Sequence, residues 1–201
     1  MKPLLRRVTG ITLGLALALA VGWTARPASA TILRELGLGE LVRQADRVVV
    51  ARVEARVSRW EGGRIVTDVT LRVEESAKGD ARVGERLVVT TMGGSVDGIG
   101  MKVVGEATFV KGETALVFMT ALDAGWAGVR TWEVVGMAQG RMPVTVDAAT
   151  GLRQVRADLA GASLLVKDRR GKSVVTAAVG ARLRPRPLAD VVAEVRALVS
   201  R

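Results

Sequence analysis

Cysteine, histidine, tyrosine and asparagine are all missing from the 201 residues of this chain. Without cysteine there is no disulfide, no thiolate nucleophile, no thiolate metal site and no lipid-modified cysteine. Without histidine the usual general base near neutral pH is gone, and with it the commonest zinc ligand. Ser-His-Asp, Cys-His and His-Glu-x-x-His chemistry is excluded on composition alone. Apolar runs are scarce too: after residue 30, none is long enough to span a bilayer. No internal repeat or low-complexity tract is visible.

The N-terminus is the most specific signal present. Lys2, Arg6 and Arg7 precede an uncharged, largely apolar run from Val8 to Trp23, and Ala28-Ser29-Ala30 follows. This is the pattern of a secretory signal peptide cut after Ala30, which leaves a mature chain in the periplasm or outside the cell, with no transmembrane segment. Arg6-Arg7 leaves both the general and the twin-arginine export route open. The formal net charge of +10 is unevenly spread. Residues 1–30 hold four bases and no acid, residues 31–150 hold 15 bases and 16 acids, and residues 151–201 hold 11 bases and 4 acids. A near-neutral body therefore carries a basic C-terminal quarter.

Within the body, Leu38, Leu41, Val42 and Ala45 recur at helical spacing. From Val49 to Ser58 and from Arg64 to Glu74, apolar and mostly polar residues alternate across Glu61-Gly62-Gly63, which predicts an antiparallel hairpin. Strands are expected at Arg86–Thr91, Thr114–Leu122, Val129–Val135 and Arg141–Asp147, with a turn at Asp123–Gly128. The Thr114 strand is apolar on both faces and so central. Leu164–Lys167 and Lys172–Val175 make a candidate second hairpin. Leu188, Val191, Val192, Val195, Leu198 and Val199 form one helical stripe, which predicts packing on the body. The expected layout is a signal peptide at 1–30, a β-barrel domain at 31–156, a basic connection at 157–187 and a C-terminal amphipathic helix at 188–201. The fold class is mainly β, a small antiparallel barrel whose core holds Val49, Val53, Val69, Leu71, Val89, Val117 and Phe118.

The run from Ala45 to Val53, Thr70-Leu71-Arg72-Val73, Lys78-Gly79, Leu87 to Thr91 and Gly112 to Phe118 resembles the netrin-like module. The segment Gly93 to Met101 is also similar to one in a broad set of uncharacterised exported bacterial proteins. The netrin-like resemblance implies a five-stranded OB-type barrel like that of the tissue inhibitors of metalloproteinases, and a secreted protease as the class of partner. Those inhibitors act through an N-terminal cysteine; this chain has none, so no inhibitory residue carries across.

Candidate sites divide into two groups. Gly93, Gly94, Asp97, Ile99 and Met101 lie in a glycine-rich stretch whose backbone either approaches a ligand or forms a plain long turn. Trp60 and Trp126 fall at predicted turns and either contact a partner or pack on the core, whereas Trp132 falls in a strand. Lys167, Arg169, Arg170, Lys172, Arg182, Arg184 and Arg186 form a basic set, either a solvated face or a polyanion or envelope-surface site. No base-reading motif accompanies it, which argues against nucleic acid. Ser163 with Lys167, and Ser76 with Lys78, are the nearest Ser–Lys pairs, while Glu74 and Glu75 point to opposite faces of a strand. The sequence supports no catalytic set, metal site or cofactor. It reads as a non-enzymatic binding domain for a protein partner, with a polyanion binder as the alternative and an unrecognised enzyme third.

Overall fold

The computed structural model describes residues 31–122, 130–159, 161–167, 170–176 and 184–201. The expected signal peptide, the Asp123–Gly128 turn, Trp126, Arg169 and Arg182 lie outside the described residues. The chain opens with a three-residue strand, β1 (Ile32–Arg34), and a short helix, α1 (Leu38–Gln44). Gly37 starts that helix, and its N–H donates to the Glu40 carboxylate at 3.1 Å. The two alternating runs become strands of 15 residues each, β2 (Arg47–Glu61) and β3 (Arg64–Lys78), paired from Val48 opposite Lys78 to Glu61 opposite Arg64.

β4 (Arg86–Met92) adds to β3, and the small hairpin β5 (Gly94–Val96) and β6 (Ile99–Met101) follows. Next come β7 (Thr114–Ala121), β8 (Thr131–Val134), a single 3₁₀ turn at Met137–Gly140, and β9 (Arg141–Val146). The C-terminal region holds β10 (Arg153–Val155), β11 (Ser163–Lys167), β12 (Ser173–Thr176), β13 (Arg186–Pro187) and the helix α2 (Leu188–Val199). The protein is mainly β, with one large sheet of order β13-β10-β9-β7-β2-β3-β4-β8. β1 pairs in parallel with β11, which β12 extends as the second predicted hairpin.

The small antiparallel barrel expected from the sequence is not closed. The outer edge of β7 is divided. Its first half, Ala115–Val117, carries β9 and leads the sheet outward through β10 and β13. Its second half, Met119–Ala121, carries β8, which meets β4 through two residue pairs only, and in parallel.

Apolar residues collect on both sides of the central strands. One core holds Val49, Val53, Val69, Leu71, Val89 and Val117, as predicted, together with Phe109 and Trp132. Phe118 belongs instead to a second core on the opposite face, because neighbouring residues of β7 point to opposite sides. There Val48, Val50, Leu116 and Phe118 are covered by Leu41 and Val42 of α1 and by Leu188, Val191, Val192 and Val195 of α2. Burying each such side chain contributes about 1.5–3 kcal/mol before chain entropy is subtracted. No helix among the described residues is long and apolar enough to cross a membrane.

Candidate functional site

The glycine-rich stretch is a hairpin and not a long turn. Gly94–Val96 pairs with Ile99–Met101 around Asp97-Gly98, whose φ angles of 51° and 77° make the tight turn that matches strand twist. Asp97 is therefore first a turn residue, able to hold a left-handed conformation that most side chains avoid.

This hairpin is folded back over the far end of β2 and β3. Gly93 donates its N–H to the Ile65 carbonyl at 2.8 Å, and its own carbonyl accepts from Thr67 Oγ1 at 2.6 Å. Thr67 Oγ1 and Ser58 Oγ lie 2.9 Å apart, and Gly94 rests against both hydroxyls with no room for a Cβ. The Ser95 N–H reaches Ser58 Oγ at 3.4 Å. The amides of Gly93 and Ser95 are thus engaged within the protein.

The consequence is a shared end. Ile99 is 55% exposed at the small hairpin, and Trp60 and Val57 on β2 are 46% and 63% exposed. Met101 is half-buried and lines a cleft of about 90 Å³ with Arg56, Lys102 and Glu106. Burial pushes the Glu106 carboxyl above its ordinary range, and the Glu133 charge adds to the rise. The Ala107 N–H, donating at 3.0 Å, and that of Met92 oppose it by favouring the charged form.

The other candidates are dispersed. Trp132 is buried in β8, with the Arg47 guanidinium 4.5 Å from its ring centroid and that of Arg130 at 5.7 Å. Arg47 also pairs with Glu85 at 3.0 Å and with Asp80. The Asp80 carboxyl is held below its usual range by its own backbone N–H and by the Arg47 charge. Lys78 Nζ donates to the carbonyls of Val42 at 2.7 Å and Ala45, where it closes α1 and is not placed to act as a base for Ser76. Glu74 accepts from Thr114 and Arg153, whereas Glu75 pairs with Arg196 of α2. Of the basic set, Lys167 ends β11, Arg170 and Lys172 lie exposed between β11 and β12, and Arg184 and Arg186 lead into α2. Arg186 is neutralised by Glu194 at 2.6 Å.

Two buried arginines carried no sequence signal beyond their place in apolar runs: Arg47, and Arg141, which pairs with Glu113. Among the described residues no group of three His, Cys, Asp or Glu side chains is arranged to hold a metal ion. Compared with protein-family models, with curated proteins and with solved structures, the chain shows no match.

Proposed function

We infer that this chain is an exported, non-catalytic binding module that meets a protein partner with the end formed by the β2–β3 and β5–β6 hairpins. The observation carrying this reading is that the β5–β6 hairpin, which bears the exposed Ile99, packs on β2 and β3, whose far end bears the exposed Trp60. Exposed aromatic and aliphatic side chains on hydrogen-bonded hairpins are contact groups whose ordering costs little on binding. A netrin-like, OB-type origin is supported by the pairing order β7-β2-β3-β4-β8, with β8 parallel to β4 and antiparallel to β7. A secreted protease is the partner class that this origin implies.

The test is capture from envelope and culture fluid by the immobilised protein and by an Ile99→Asp variant. The reading expects a partner that is retained in high salt by the unaltered protein and lost by the variant. Equal capture by both would overturn it. Capture that collapses as salt rises would point to a polyanion instead.

A further inference from the structure

Beyond Val53 the outer edge of β2 meets no strand among the described residues. Val53 donates to the Glu113 carbonyl and accepts from the Gly112 N–H, each at 2.9 Å, and a register shift follows between Val53 and Ala55. On β3, Ile65 and Val73 bond toward the β4 side, through Gly93, Gly84 and Glu85. Val66, Asp68 and Thr70 therefore face β2, where they pair with Arg59, Val57 and Ala55. Strand backbone alternates its bonding direction residue by residue. The N–H and C=O groups of Arg56, Ser58 and Trp60 consequently point away from β3, and among the described residues no strand pairs with them.

Such an edge is a template for another strand, and natural edges are usually blunted by proline, bulges or charge. Past its bulge this one has no proline and carries one outward-bonding charged residue, Arg56. Arg56 makes no ion pair among the described residues.

We propose that β2 pairs edge to edge with β2 of a second copy, antiparallel, about a two-fold axis through Ser58. This register uses the outward groups of all three residues in each copy, about six hydrogen bonds in total. It sets the Arg56 of each copy against the Trp60 of the other on one face, a cation over a half-exposed indole. The protein already makes this contact internally, where Arg47 lies over Trp132. On the opposite face Val57 meets Arg59 of the second copy, and Ala55 meets Glu61. No two like charges are opposed, so the edge is self-complementary. The site at Trp60 is completed by the second copy, and this goes beyond the reading of a foreign partner at Ile99.

Sedimentation equilibrium of the purified protein and its variants, from about 1 μM to 1 mM, tests the pairing. The unaltered protein should dimerise. Trp60→Arg should raise the dissociation constant at least about tenfold, because it opposes Arg56 with a like charge. The double variant Arg56→Glu with Trp60→Arg should recover it to within about threefold, a rescue that damage to the fold would not give. Arg56→Pro removes an edge N–H that β3 does not use, and should abolish association while the melting temperature of the monomer holds. A monomer at every concentration would overturn the proposal and leave the edge to a strand of another protein. Association indifferent to Trp60→Arg, or a double variant no better than the single one, would overturn it too. Ile99→Asp leaves the edge intact and Arg56→Pro leaves Trp60 and Ile99 in place, so partner capture and self-pairing fail independently.

Discussion

The near and far halves of the β2–β3 hairpin share one alternating pattern but not one environment. From Val48 to Val53 the strand lies between two cores, with Val49 and Val53 facing one and Val48 and Val50 facing the other. Past the register shift between Val53 and Ala55 the alternation changes face: Val53 sits opposite Leu71, whereas Val57 sits opposite Asp68 and is exposed. Pattern alone therefore does not decide burial. What decides it is the register shift, which turns Val57 onto the face whose nearer part is covered by α1 and α2.

The largest break in this contrast should come from the second layer itself. Val195→Asp would place an unpaired charge beneath α2 and cost about 4 kcal/mol or more, seen as a collapse of the melting temperature with binding of an apolar dye. Ile99→Asp at the far end should leave melting nearly unchanged. Next, Phe118→Ala should cost about 3–5 kcal/mol and Leu71→Ala about 2–5 kcal/mol in denaturant unfolding. Val57→Ala should stay within about 0.5 kcal/mol; equal losses at Leu71 and Val57 would erase the distinction between the halves. Gly94→Ala should cost about 1–3 kcal/mol, because φ is 135° there and the Ser58 and Thr67 hydroxyls occupy the Cβ position. Calorimetry should show the Gly94 loss exceeding that of Gly98→Ala, whose site is open.

The smallest effect is a pH dependence at the cleft. Burial raises the Glu106 carboxyl above its ordinary 4.5, so the folded state keeps a proton that the unfolded chain has lost. Its contribution to stability therefore falls as pH rises from about 4.5 through the raised value, and recovers on acidification. Melting curves across that window should flatten in Glu106→Gln; a variant with the same slope as the unaltered protein would remove Glu106 as the cause.

Much of the first core was legible because Val49, Val53, Val69 and Leu71 alternate over long strands. Phe118 was misplaced because a strand apolar on both faces does not reveal which core each residue serves. The divided edge of β7 and the parallel contact of β8 with β4 were illegible, since both depend on residues brought together from afar. β5 and β6 were read as a turn because three residues each are too few to show alternation, although Asp97-Gly98 is itself a hairpin signal. Trp60 and Ile99 were singled out separately. That their two hairpins pack together depends on Gly93 and Gly94 crossing back over Thr67, and the edge at Arg56 depends on where β7 begins.

β1 has a kinetic meaning that its three paired residues conceal. Its parallel partner, Ser163–Leu165, lies some 130 positions further along the chain, so β1 has nothing to pair with until almost the whole chain has been made. The patch beneath is small, with Leu159 and Leu164 buried and Leu33 and Val166 packed against them. A late, lightly held closure of this kind opens first and often. In native-state hydrogen exchange the amide of Glu35, bonded to the Leu165 carbonyl at 3.1 Å, should trade its proton well before that of Val53. Opening of this kind would release the first strand while the main sheet stays intact.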